Sequence, residues 1–276
     1  MGKMLTIPLH NLKLEPPIRL DLGDSTIIPW KDASGDLLGA ILRTTGEECP
    51  FLLQMPPREG EQPRRTLDRA LTVFKLFKDS IVLSRCVFQG TDLIDDLPHY
   101  IHWQDPDRGV PLFHLDEHEK TMFASFWKEF IETNPGNFAV HRFHLADYRA
   151  YSADRFVDYV ESLEYLLVPD SGEGEIGYKF RSRGVLILGA DKKPVERAEL
   201  YSQLRDAYDM RSAIVHGNEN KQKDLRKDKT WEEILGPVRC HDRQAIRFFF
   251  RAGCLGDADR RREMLNDRLL FSAQIS

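Results

Sequence analysis

Two residues in the stretch Glu199 to Asn218, ELYSQLRDAYDMRSAIVHGN, have side chains suited to chemistry: Arg211 and, five positions later, His216. The apolar residues Leu200, Leu204, Ala207, Tyr208 and Val215 recur at helical spacing and predict one helix with a stripe roughly 100° wide. Arg211 falls inside that stripe. A guanidinium on a buried face is costly unless it is paired or opens onto a polar cavity. The opposite face carries Arg205, Asp209, Ser212 and His216, with Asp209 one turn from Ser212 and Ser212 one turn from His216. Gly217 predicts a left-handed cap, which leaves His216 in the last helical turn. The helix dipole favours a cation there, a suitable place for a group that transfers protons.

On these residues alone two roles stay open. Arg211 either makes an internal salt bridge while His216 merely ends a helix, or the two act together on a substrate. Arg211, four intervening residues and His216 form the R-x4-H spacing, and RSAIVHG followed by a polar segment resembles the ApeA-like branch of the HEPN ribonuclease superfamily. Upstream, RFVDYVESLEYLLVP (Arg155 to Pro169) and EIGYKFRSRGVLILG (Glu175 to Gly189) resemble the preceding helices of that branch, so the likeness covers about Asp147 to Leu255. Ser212 departs from the pattern, because many members have Asn, Asp or His directly after the arginine.

The chain reads as α+β, with a small β-rich N-terminal domain followed by an all-α helical bundle that the resemblance makes HEPN-like. The resemblance implies a metal-independent endoribonuclease of prokaryotic toxin or antiviral defence systems, cytoplasmic and homodimeric, with RNA as substrate and an antitoxin or activating protein as a further partner. Arg211 and His216 would be catalytic, with no cofactor and no metal. Ser212 and Asp209 would support them, and Lys221, Lys223, Arg226 and Lys227 would contact RNA. On one ideal helix, residues five apart point about 140° from each other. A single Arg211–His216 pair therefore converges poorly, and a two-fold axis beside the helix end would bring two such pairs together. The alternative is an inactive HEPN module that dimerises or senses.

The elements that must position this helix follow from the rest of the chain. MLTIPLHNLKL, IRLDLGDSTIIPW, DLLGAILRTT and FLLQMP are short apolar runs punctuated by Pro and Gly, and predict strands. Thr66 to Ser80 predicts a helix capped by Thr66, and IVLSRCVF a further strand. The polar and aromatic segment from Asp92 to Gly109, with Pro98, Tyr100, Trp103 and Pro106, reads as a connection, which divides the chain into 1–110 and 111–276. Helices are expected from Asp116 to Asn134, from near Phe138 without a strong break to Leu167, then Glu175 to Gly189, the motif helix, Thr230 to Leu255 with Pro237 as a kink or start, and Ala258 to Phe271. Glu219 to Lys229 reads as a solvated loop, and Arg260, Arg261 and Arg262 as a solvated basic face. His141 and His144 read as surface histidines.

One competing constellation is His114-Leu-Asp-Glu-His118, the H-x-x-E-H pattern of the inverted zinc peptidases, with Glu117 as general base. It requires both histidines on one helix. Pro111 and the acidic run after His114 instead predict a helix start around Asp116, leaving His114 outside.

Composition narrows the classes. With 276 residues, 41% of them hydrophobic, the chain can bury a substantial core. A net charge of −5 confines any nucleic-acid contact to a local patch. The four cysteines, Cys49, Cys86, Cys240 and Cys254, have no C-x2-C pair, which suits a reducing compartment. The sequence has no long apolar window and no secretory pattern at its start, which argues against a membrane partner, although MGKMLT matches the loose myristoylation pattern at Gly2.

Overall fold

The computed structural model describes residues 4–16, 18–80, 82, 84, 86–96, 112–133, 135–170 and 175–272. The fold is α+β, with an antiparallel sheet in the N-terminal part followed by a helical region. The chain divides into two compact units, Met1–Asn134 and Pro135–Ser276. Gly2 lies outside the described residues.

The first unit is built on β1 (Leu5–Leu9), β2 (Leu12–Leu14), β3 (Leu20–Asp21), β4 (Thr26–Pro29), β5 (Phe51–Met55), β6 (Cys86–Gln89), β7 (Asp92–Asp96) and β8 (Phe113–Leu115). Its helices are α1 (Gly35–Thr45), α2 (Pro63–Phe77) and α3 (Glu117–Thr133). The larger sheet runs β3-β4-β5-β1-β6-β7, all antiparallel, with Ile7 opposite Leu53. Separately, β2 and β8 pair in parallel. Every residue of β1 is buried, Thr6 included, so this central strand is covered on both faces rather than alternating between core and solvent. Ile28, Leu37, Ile41, Leu52 and Phe88 form one cluster. Phe74 of α2 heads another, with Phe123 stacked on it at 5.0 Å and Phe113 and Trp127 edge-on.

Three expectations change here. DLLGAILRTT forms α1, not a strand: Ser34 Oγ accepts from the Leu37 amide at 3.4 Å, and Gly46 (φ +75°) ends the helix. These caps outweigh the strand preference of its Ile and Thr, and Leu37, Ala40 and Ile41 bury one face. The second helix starts at Pro63, so Thr66 lies inside it and donates to Glu61 Oε2 at 2.9 Å. Asp92–Asp96 is a strand paired with β6 rather than connection, while residues 97–111 of that segment lie outside the described residues. β8 pairs with β2 and α3 packs on α2, within the first unit.

The second unit comprises α4 (Phe138–Ala146), α5 (Ser152–Leu167), α6 (Ile176–Leu188), α7 (Pro194–Val215), α8 (Glu219–Arg226), α9 (Trp231–Arg251) and α10 (Ala258–Ser272). The run expected without interruption from Phe138 to Leu167 is broken between Ala146 and Ser152, where Asp147 turns inward to accept from the Tyr159 hydroxyl at 2.5 Å. α5 is the central helix and packs against α4, α6, α7, α9 and α10. Its Phe156, Tyr159, Val160, Leu163, Leu166 and Leu167 are all buried. Pro237 lies inside α9. Arg261 is fully buried, its Nη1 donating to the Leu255 carbonyl at 2.5 Å and its guanidinium lying 4.8 Å from the Tyr165 ring centre, so it is no part of a solvated face. No helix among the described residues is long and apolar enough to cross a membrane.

The centre of this unit holds a carboxyl group, Asp242, that has no solvent exposure. Burial raises its pKa well above the usual carboxylate range, with the Ser162 hydrogen bond opposing. Hydrogen-bond bookkeeping agrees. Ser162 Oγ lies 2.7 Å from Asp242 Oδ1 and 3.0 Å from the Ala139 carbonyl, and its single proton can serve only one of them. A neutral Asp242 supplies the second proton by donating to Ser162, which then donates to Ala139. A raised folded pKa makes stability fall as pH rises above the unfolded value of 3.8, since only the unfolded chain then ionises. Asp242→Asn keeps a donor toward Ser162 and removes the ionisable group. Urea melts from pH 4 to pH 7 should therefore show a decline in stability for the parent, of up to about 1.4 kcal/mol per pH unit, that is flatter in the variant. Parallel curves for the two proteins would contradict a neutral Asp242.

Candidate functional site

Close approach of two helices positions α7. Gly184 of α6 faces Leu204, where an added Cβ would come within 2.5 Å of Leu204 Cδ1, and Gly177 faces the Tyr208 ring, where a Cβ would lie 3.1 Å away. Leu200, Leu204, Ala207, Met210 and Ala213 form the buried face of α7. Val215 departs from the expected stripe and is 52% exposed. At the far end the helix closes regularly: Asn218 N donates to the Ala213 carbonyl at 2.8 Å and Gly217 N to that of Ile214 at 3.0 Å, with Gly217 left-handed at φ +66°. This is a complete Schellman motif, with His216 as the C-cap.

Arg211 borders the buried face and turns toward α5. Its side chain is 24% exposed, with Nη2 3.6 Å from Glu161 Oε1 and Nε buried without a hydrogen-bond partner. Glu161 is shared, because Arg142 Nη2 lies 3.1 Å from its other oxygen. Arg142 Nη1 in turn reaches Asp158 Oδ1 at 2.6 Å, and Arg149 Nε reaches Asp158 Oδ2 at 2.5 Å. One turn beyond Glu161, Glu164 has its pKa raised by burial, with Arg211 opposing and Glu161 reinforcing the shift. Tyr208 is likewise raised, by burial first and Glu164 second. The guanidinium thus stands among Glu161, Glu164 and Tyr208.

His216 is exposed at the C-cap, with its backbone amide donating to the Ser212 carbonyl at 3.0 Å. The last turn of α7 is therefore undistorted, and within one chain Arg211 faces α5 while His216 faces outward. Ser212 is half-buried. Asp209 lies 3.6 Å from Lys221 Nζ, which draws both into an ion pair across α7 and α8.

The segment after the motif is a helix, α8, not the expected loop. Asn218 Oδ1 accepts from Lys221 N at 3.1 Å, Gln222 Nε2 donates to the Ala213 carbonyl at 3.2 Å, and Glu219 and Arg226 sit at the ends favoured by the dipole. Arg226 lies over the Trp231 ring at 5.1 Å. Of the four cations in this segment expected to meet RNA, Lys223 and Lys227 are exposed, whereas Lys221 and Arg226 are engaged as described.

His114 is on strand β8 and lies 3.2 Å from Glu15 Oε2, whereas Glu117 and His118 begin α3, so the three are not on one helix. Among the described residues no group of three or more His, Cys, Asp or Glu side chains is arranged to hold a metal ion. His144 is buried against Tyr148, with ring centres 4.7 Å apart, and is not a surface histidine. A cleft between α7 and α9, floored by Leu204, Ala207, Met210 and Val238, was not apparent in the sequence. At its edge His241 Nε2 lies 3.2 Å from Gln203 Oε1, and burial, then Lys192, lowers the His241 pKa to about 4. No protein-family model, curated protein or solved structure matches this chain.

The Arg211–Glu161 pair is long and partly exposed, so it should contribute little to the fold. A double-mutant cycle with Arg211→Met and Glu161→Gln, read by urea denaturation, should give a coupling of at most about 1 kcal/mol. A coupling of several kcal/mol would make Arg211 a structural residue first.

Proposed function

We propose that the helical unit is a HEPN-like endoribonuclease that cuts RNA without a metal, acting in the cytoplasm as a homodimer within a prokaryotic toxin or antiviral defence system. The observation that carries this reading is the weakly paired Arg211 on a regular α7 that ends in an exposed His216. A guanidinium held at 3.6 Å from a carboxylate it shares is available to a stronger anion, such as a phosphate. The two side chains diverge on the helix, so the pair becomes useful when Arg211 of one protomer meets His216 of its partner across a two-fold axis.

In this mechanism the 2′-hydroxyl attacks the adjacent phosphorus. At each shared position His216 accepts the 2′ proton and delivers it to the departing 5′-oxygen. Arg211 stabilises the charge that grows on the pentacoordinate phosphate. The P–O5′ bond breaks, leaving a 2′,3′-cyclic phosphate and a 5′-hydroxyl. Ser212 and Asp209 support the helix end, and an antitoxin or activating protein would control access to it.

A second reading has the Arg211–Glu161 pair in its favour: an inactive HEPN platform in which Arg211 only ties α7 to α5. One assay separates the two. Purified chain incubated with total RNA in EDTA should yield 2′,3′-cyclic phosphate ends, and His216→Ala should slow cleavage by about 10²–10⁴-fold without altering the melting temperature. Absence of any cleavage by the parent would favour the platform, and 5′-phosphate products that require a metal would refute the mechanism.

A further inference from the structure

The cleft between α7 and α9 takes no part in the chemistry assigned to Arg211 and His216. Its floor is apolar, with Leu204, Ala207 and Met210 of α7 meeting Val238 of α9, while Gln203, Lys229, Glu233 and His241 bring polar groups to it. A few convergent polar groups over an apolar floor are the usual make-up of a small-ligand site. The cleft has a volume of about 100 Å³. An apolar cavity of about 150 Å³ holds benzene, so this cleft seats most of one six-membered ring, leaves an edge in its mouth, and takes little of a fused pair.

One wall of the cleft is set by Glu233, Pro237 and His241, which are spaced four apart and so share a face of α9. Pro237 lies inside the helix and has no N–H to bond the Glu233 carbonyl one turn before it. Glu233 and Pro237 are both exposed, so that carbonyl is an acceptor open to a ligand. One turn further on, His241 Nε2 lies 3.2 Å from Gln203 Oε1. Gln203 Nε2 donates to Glu199 Oε1 at 3.4 Å, which fixes the orientation of the Gln203 amide and places the single proton of the neutral His241 ring on Nε2. Gln203 is exposed and free to yield this bond to a bound molecule. Cα–Cβ bonds tilt toward a helix N-terminus, which carries His241 back along α9 toward the Glu233 carbonyl. The wall therefore offers an acceptor and, beside it, a donor.

We propose that this cleft receives a pyrimidine base of the RNA, with the Glu233 carbonyl accepting an N–H from the edge of the base and His241 Nε2 donating to the neighbouring acceptor on that edge. This rests on the ribonuclease reading. A pyrimidine is a single ring whose edge carries a donor next to an acceptor, which matches both the size of the cleft and its wall. Met210, at one end of the cleft, precedes His216 by six residues, about 9 Å along α7, so the base belongs to a nucleotide flanking the scissile bond. Lys229 at the rim supplies a cation for the phosphate of that nucleotide. Contacts to the edge of a base specify sequence, so the cleft would give the enzyme a base preference without entering the chemistry.

The test uses the full chain carrying His216→Ala, so that RNA is bound and not cut, with oligo(U) and oligo(A) of equal length as probes. This parent should bind oligo(U) more tightly. Pro237→Ala returns an amide donor to the Glu233 carbonyl, and should narrow the preference by about 3–10-fold while leaving oligo(A) binding unchanged and the melting temperature no lower. His241→Phe, which keeps a ring and removes its donor, should narrow the preference as well. A preference unchanged in both variants, or absent from the parent while both oligomers bind, would overturn the cleft as a base site and leave the ribonuclease reading intact. A parent that binds neither oligomer would instead remove the RNA reading and this site together, even if free uridine monophosphate were bound.

Discussion

Asp158 of α5 is buried and keeps its neighbours in place through charge. An isolated ionised carboxylate in a protein interior costs several kcal/mol, so it must be paired. Here Arg142 from α4 and Arg149 from the turn before α5 supply that pairing. Arg142 is long enough to serve Glu161 too, one turn along, and Glu161 in turn is the carboxylate nearest Arg211. Charge compensation thus runs from the α4–α5 turn to α7. Arg211 stands at its open end, where the pairing is longest and the partner is divided between two guanidiniums.

The apolar contacts fix where that end lies. The glycines of α6 let α7 approach until Leu204 and the Tyr208 ring fill the space a side chain would take. Met210 and Ala213 then bury the turn on either side of Arg211. Beyond them the Schellman motif satisfies the last carbonyls of α7 and directs the chain into α8, which leaves His216 exposed without distorting the helix. A helix that ended raggedly could bring His216 round toward Arg211. This one holds them apart, and so the proposed chemistry depends on a second protomer.

Much of this was legible in sequence where local signals are strong. The motif helix ends where Gly217 predicts, α6 begins and ends within a residue of its expected limits, and the α+β order follows from the change in periodicity. Readings failed where a local cap or a distant partner decides. Ser34 and Gly46 convert an apolar run into α1, and Asn218 organises a polar segment into α8. Arg261 looks like its neighbours Arg260 and Arg262, yet the carbonyl of Leu255 and the ring of Tyr165 take it into the interior. The surroundings of Arg211 could not be read at all, since Arg142 and Glu161 lie about fifty residues or more before it in the chain and meet it only through the packing of α4, α5 and α7.

The central claim, that Arg211 and His216 act across a dimer, is tested most directly by mixing two inactive chains. Arg211→Ala and His216→Ala proteins are unfolded together, refolded and assayed on RNA. In a mixed dimer, the intact arginine of the second chain and the intact histidine of the first meet at one of the two shared positions. The account predicts that ribonuclease activity returns in the mixture while each variant refolded alone stays inactive. Continued inactivity of mixtures shown to contain mixed dimers would contradict it.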